Sequence, residues 1–154
     1  MVTNEDLKTY CRGLYEAWNR GDMETFYAGM DAHITDHNAG EGETGVAGVR
    51  AALDTVRSAF PDHQYEVLDI VADAQTMSLV CRLACTGTQT GDLFGLPPHG
   101  KKARWIEARF VKLVEAEPGA PFRVRTKEHW AVTDSLSMMT QLGHVPAPGQ
   151  RESW

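Results

Sequence analysis

Hydrophobic and polar positions repeat with two different periods along the chain. In the first part, Leu7, Tyr10, Cys11, Leu14, Ala17 and Trp18 recur every three to four residues, the spacing of a helix with one buried face. Thr3 with Asp6 supplies a capping box at its start, and Gly21 stops it. Asp22 is placed to cap a second, short helix with Met23, Phe26, Tyr27 and Met30 on its apolar side. A break at Asp31 leads into residues 33–38, a short strand or extended segment, and Gly40, Gly42 and Gly45 predict a mobile or tightly turning loop. A third helix buries Val46, Val49, Leu53, Val56 and Phe60 and ends at Pro61 and Asp62.

From Tyr65 onward the period drops to two. Four strand-like runs, Tyr65–Asp73, Thr76–Thr90, Lys102–Val114 and Phe122–Asp134, are joined by hairpin-length connections, which implies a curved, largely antiparallel sheet. A short helix over Leu136–Leu142 closes the domain, which spans residues 1–143. Residues 144–154, with Pro146, Pro148 and Gly149, read as a loosely ordered tail. Helices first and a meander afterwards is an α+β pattern. Three helices packed on one face of a bent sheet make a cone-shaped α+β barrel, and its cavity is the natural place for a small ligand.

Alternation in the third run sets Trp105, Glu107, Arg109, Val111 and Leu113 on one face and Ile106, Ala108, Phe110 and Lys112 on the other. Charges on a half-apolar face are costly to bury unless they pair or line a polar cavity. A solvated outer face bearing an ordinary surface ion pair is the alternative. The fourth run sets His129 and Ala131 on one face, with Glu128, Trp130 and Val132 on the other. Both runs read as walls of a pocket, and the polar groups then suited to proton transfer are Glu107, Arg109 and His129, with Asn38 or His37 at the mouth. Trp18, Tyr15, Phe26, Trp105 and Phe110 could grip a flat ring system, although aromatic stripes at such spacing also build cores.

At 154 residues, 42% hydrophobic and 23% charged, the chain is a single globular domain. A net charge of −6 argues against a nucleic-acid partner. No apolar run approaches the roughly 18–20 residues of a membrane helix, and the acidic N-terminus has no secretory h-region, so a cytoplasmic location is expected. Cys11, Cys81 and Cys85 lack metal or disulfide spacing, and the last two share a strand face with Leu79 and Leu83, so they read as core thiols.

Several motifs fail. Gly95, Gly100 and Lys101 have P-loop spacing, but Lys102 stands where Ser or Thr is needed and Pro97 and Pro98 remove the amides that would cradle phosphate. His33, Asp36 and His37 lie in poor helix sequence, and in a strand His33 and His37 stand roughly 13 Å apart, too far for one ion. No metal is expected. Neither a nucleophile elbow nor a dinucleotide fingerprint is present.

The stretch Thr86 through Lys101, followed by Glu128, His129, Trp130, Asp134, Gln141 and Gly143, resembles the SnoaL-like polyketide cyclase and ester cyclase family. Asp36, His37 and Asn38, and Phe60, Pro61 and Asp62, fit the same pattern. The resemblance implies the nuclear-transport-factor-like α+β cone, cofactor-free chemistry on an aromatic polyketide, and a homodimer or homotetramer assembled through the outer face of the sheet. The cyclases carry an acid/base Asp two residues after the His; here that position is Ala131. Asp134 falls on the opposite face and reads as the cap of the last helix. Glu107 and Arg109 stand where the cyclases carry Gln and His, and Gln89 where the family often has His.

These departures resemble the branch of the family that hydroxylates an anthracycline-type ring. In that branch a quinone or hydroquinone substrate passes electrons to oxygen and a separate reductase restores it. The resemblance therefore implies Glu107, Arg109 and His129 as catalytic residues, with Asn38, His37, Trp18, Tyr15, Trp105 and Gln89 binding substrate. A cyclase with Glu107 as its base, and a non-catalytic ligand-binding member of the fold, are the alternatives.

Overall fold

The structure, a computed structural model, describes residues 1–39, 44–147 and 149. Gly40, Gly42 and Pro148, and residues 150–154 of the expected tail, lie outside that set. The elements in chain order are α1 (Asn4–Asn19), α2 (Met23–Ala28), β1 (Met30–Asp36), α3 (Gly45–Ala59), β2 (Gln64–Asp73), β3 (Ser78–Thr88), β4 (Lys102–Glu115), β5 (Val124–Thr133) and α4 (Ser135–Gln141).

Local chemistry sets the ends of the helices. Thr3 and Asp6 form the capping box of α1, Asp22 caps α2 through the amide of Thr25, and Asp134 caps α4 through the amide of Ser137. Gly21 follows α1 with φ +77, a backbone setting that glycine takes without strain.

One sheet runs in the order β1-β5-β4-β3-β2. The pairs β2–β3, β3–β4 and β4–β5 are antiparallel, as the hairpin-length connections predict. The extended segment after α2 is a strand in its own right, and it joins β5 in parallel. The sheet is therefore mixed, with an extra edge strand that begins at Met30 rather than after Asp31. Register shifts between Val67 and Asp69 and between Lys112 and Leu113 bend the strands, as bulges do.

The inner face of the sheet carries Leu79, Cys81, Leu83, Cys85, Ala103, Trp105, Val111, Leu113 and Val124, all buried against Leu7, Tyr10, Leu14, Trp18 and Phe26 of the helices. The three cysteines are buried free thiols, in line with the core reading. Among the described residues helices cover only this face. Val71, Phe110 and Val132 on the other side are exposed.

Two asparagine side chains extend the sheet as if they were backbone. Asn19 accepts from the amide of Tyr65 and donates to its carbonyl, and Asn38 does the same to Ala131. Each clamps one end of an edge strand.

Candidate active site

The sheet's curvature leaves a chamber of about 110 Å³ under α1, α2 and α3. Apolar wall comes from Leu14, Phe26, Met30, Val49 and Leu53, and the polar wall is Tyr15, Asp36, Arg109, Thr126 and His129. A larger vestibule of about 440 Å³ lies outside it between β1 and the start of α3, and the two share Ile34, Asp36 and Val49.

Alternation along β4 turns Glu107 and Arg109 inward, as the sequence pattern predicts. Their side chains are 11% and 12% exposed, which excludes the surface-pair alternative. Oε2 of Glu107 accepts from Arg109 Nε at 3.2 Å and Nη2 at 2.7 Å, while Oε1 accepts from Trp105 Nε1 at 3.1 Å. Nη2 of Arg109 also donates to the Tyr65 hydroxyl at 2.9 Å. Among the described residues Nη1 makes no hydrogen bond, so two N–H donors remain for a ligand. Burial pushes the Glu107 carboxyl up, but Arg109 outweighs it and the net shift is downward, so the pair is ionic.

Parallel pairing of β1 with β5 places Asp36 opposite His129. Oδ1 of Asp36 lies 3.0 Å from Nδ1 of His129 and also accepts from the amide of Asn38 at 2.9 Å. Burial raises the Asp36 carboxyl, and the His129 and Asn38 hydrogen bonds together with the charge of Arg109 bring it below the ordinary carboxylate range. An ionised Asp36 accepts a hydrogen bond from Nδ1–H of His129, the tautomer whose Nε2 carries a lone pair toward the chamber. Among the described residues that Nε2 is buried and has no hydrogen-bond partner. Arg109 pairs with Ala131 across the strands, so His129 is its diagonal neighbour on the inner face, roughly 7 Å away by sheet geometry.

The remaining residues singled out in the sequence have other surroundings. Tyr15 lines the chamber, its hydroxyl accepting a long 3.9 Å contact from the thiol of Cys81. Trp105 holds Glu107 from behind, and Trp18 donates to Nδ1 of the buried His63 at 3.0 Å. Asn38 has its amide spent on Ala131. His37 lies on the outer side of the sheet, its ring stacked on Trp130 at 4.4 Å and its Nε2 2.7 Å from Glu128. Gln89, fully buried, donates to the carbonyls of Gly91 and Leu96 and is 2.6 Å from Nε2 of His144. It ties the β3–β4 loop to His144, three residues past α4, and its side-chain amide is taken up by these contacts.

Asp36 and the Tyr65 hydroxyl join the site without having been singled out for it. Asp36 stands 93 residues from His129, and only the parallel β1–β5 pairing, which no hairpin rule foretells, brings them together.

A helix-covered, curved sheet enclosing paired acid–base groups is the architecture of small α+β cone enzymes. The chain belongs to the SnoaL-like polyketide cyclase family, whose model matches residues 8–142. Among solved structures it is similar to IdmH, a polyketide cyclase candidate from Streptomyces antibioticus, at 27% identity over 88% of this chain and 97% of that one, with a TM-score of 0.70. A second cyclase candidate, from Acidithiobacillus ferrooxidans, is 26% identical over 92% of this chain and 97% of that one, with a TM-score of 0.68. AclR, a hydroxylase candidate from Streptomyces galilaeus, shares the fold at a TM-score of 0.78 and 24% identity, over 96% of this chain and 87% of that one. No curated protein sequence matches the chain. Among the described residues no helix is long and apolar enough to cross a membrane.

Proposed function

We propose that the chain is a cofactor-independent cyclase of an aromatic polyketide, closing a ring by an intramolecular aldol reaction. The observation that carries this reading is the buried, unpartnered Nε2 of His129, held from behind by Asp36, in a chamber that Arg109 also lines. Ala131 lacks the carboxylate that a cyclase places two residues after its His. Asp36 brings a carboxylate to the same imidazole from the neighbouring strand.

In this mechanism Nε2 of His129 takes a proton from a carbon flanked by carbonyls. The electron pair moves onto the enolate oxygen, where the Nη1 donors of Arg109 hold it as fixed positive charge. The enolate carbon then attacks a ketone of the same molecule, and the alkoxide that forms takes the proton back from His129. Asp36 keeps Nδ1–H oriented and stabilises the imidazolium between the two transfers. Glu107 and Tyr65 aim Arg109. The product is an isomer of the substrate.

The chamber is smaller than the roughly 300 Å³ of ordinary ligand pockets. It takes the reacting edge of the substrate, and the vestibule takes the other rings.

A second reading is ring hydroxylation, favoured by the Glu107–Arg109 pair. There Arg109 holds a phenolate while a hydroquinone substrate delivers electrons to oxygen, with a separate reductase restoring it. Incubation with an open-chain β-keto ester precursor and, separately, with a quinone-type polyketide under reducing conditions, both under oxygen monitoring, separates the two. Ring closure at unchanged mass, lost in His129→Gln, supports the cyclase; oxygen uptake with a product one oxygen heavier supports the hydroxylase.

A further inference from the structure

Thr126, a buried residue of β5, lines the chamber together with His129. Three residues apart, the two would face opposite sides of a regular strand. A bulge prevents this: Lys112 pairs with Glu128 and Leu113 with Thr126, so Lys127 is the extra residue of β5. Val111 and Leu113, the β4 partners of His129 and Thr126, are two residues apart, which separates the pair by roughly 7 Å along the sheet.

The direction of the Thr126 hydroxyl proton follows from its neighbours. Thr126 Oγ1 lies 2.6 Å from the Tyr10 hydroxyl, which in turn lies 2.7 Å from the Gly29 carbonyl. A carbonyl only accepts, and a tyrosine hydroxyl has a single proton. Tyr10 therefore donates to Gly29, and Thr126 donates to Tyr10. Burial pushes the Tyr10 pKa up, so this hydroxyl keeps its proton. Among the described residues Thr126 Oγ1 has no other hydrogen bond, and what it retains is lone pairs.

Apolar side chains surround this acceptor in the chamber wall. Met30 is its register partner on β1, and Leu14 and Val111 line the same cavity. A ligand hydroxyl placed there satisfies Oγ1. A ligand group that can only accept meets lone pair with lone pair, and both stay unsatisfied away from water.

We infer that Thr126, its proton held by Tyr10, is a specificity-determining residue that accepts a hydrogen bond from a hydroxyl of the substrate. The substrate class narrows to phenolic or enolic polyketides that carry this hydroxyl about one ring's width from the acidic carbon. The inference deepens the proposed function and rests on it for the identity of that carbon.

Isothermal titration calorimetry with 4-hydroxyacetophenone and 4-methoxyacetophenone tests it, after circular dichroism shows that each variant folds. Wild type is expected to bind the hydroxy compound at least ten-fold more tightly. Thr126→Val should shrink the ratio below three-fold by weakening the hydroxy compound, and Thr126→Ser should keep it. Tyr10→Phe should also shrink it below three-fold, but by strengthening the methoxy compound, because the freed Thr126 proton can then be donated. Simple steric exclusion of the methyl group would leave the ratio in Tyr10→Phe unchanged. Equal affinities in wild type, binding of neither compound, or a ratio unmoved by Thr126→Val or by Tyr10→Phe overturns the inference. If the ratios behave as expected while wild type fails to speed proton exchange at the acidic carbon of a β-keto ester, the acceptor stands and the cyclase reading fails.

Discussion

Asp36 and His129 face each other across two parallel strands, the carboxylate oxygen 3.0 Å from Nδ1. Breaking this contact should leave the imidazole in place but free its tautomer. Asp36→Asn is therefore expected to lower kcat by about 10²- to 10³-fold with KM little changed, and His129→Gln by 10²- to 10⁴-fold, the usual worth of a positioned base. Steady-state kinetics on both variants, after circular dichroism shows that they fold, checks this.

Asp36 also links the site to acid stability. Its folded pKa lies below the unfolded carboxylate value near 4. Its contribution is therefore complete above that value and is lost as pH falls through the lower, folded pKa. In thermal melts, Asp36→Asn should flatten the decline of Tm below about pH 4.

His63 acts at higher pH and with a different origin. Burial lowers its pKa to about 4, and its Nδ1 accepts from Trp18, so it is neutral when folded. The unfolded chain binds a proton from about pH 6.5, so stability is full above that value and falls as pH drops from 6.5 towards 4. Its loss amounts to roughly 2–4 kcal/mol by linkage. His63→Gln keeps an acceptor for the indole and should remove this slope; an unchanged melt profile between pH 6.5 and 4 would contradict it.

Glu107 and Arg109 are a buried pair, so deleting one charge strands the other. Glu107→Ala should destabilise by about 3–5 kcal/mol, and a Glu107→Ala, Arg109→Met double variant by less than the sum of its single changes. Urea unfolding of the four proteins of this cycle measures the coupling.

The uncovered side of the sheet leads to a prediction about assembly. Val71 is 72% exposed, Val132 64% and Phe110 45%, on a face that no helix covers among the described residues. A second copy of the chain docked there would bury them. Phe110→Glu should then convert a dimer to a monomer in light scattering; a wild type that is monomeric at all concentrations contradicts this assembly.

Much of this molecule was legible in its sequence for physical reasons. The 3.6-residue and two-residue periods, read with Thr3, Asp22 and Asp134 as caps, located α1 to α4 and the four antiparallel strands within a few residues. Alternation put Glu107 and Arg109 on one face of β4 but could not say whether that face met the core or solvent; their burial decides it. Parallel pairing was not legible: nothing local to Met30–Asp36 says which strand it joins, and so the Asp36–His129 contact was hidden. Gln89, Asn38 and His37 are the instructive cases. A buried amide, a paired amide and a stacked imidazole look like ligand-binding residues in one dimension. In three, their polar atoms are taken up by Gly91, Leu96 and His144, by Ala131, and by Glu128.

The most direct test of the central claim is deuterium wash-in. A β-keto ester analogue that lacks the accepting ketone cannot cyclise, yet it retains the acidic carbon. Wild-type protein in heavy water should exchange that proton at least a hundred-fold faster than buffer, and His129→Gln should fall to near the buffer rate. Exchange no faster than buffer with wild type, or undiminished exchange with His129→Gln, would show that His129 is not the base.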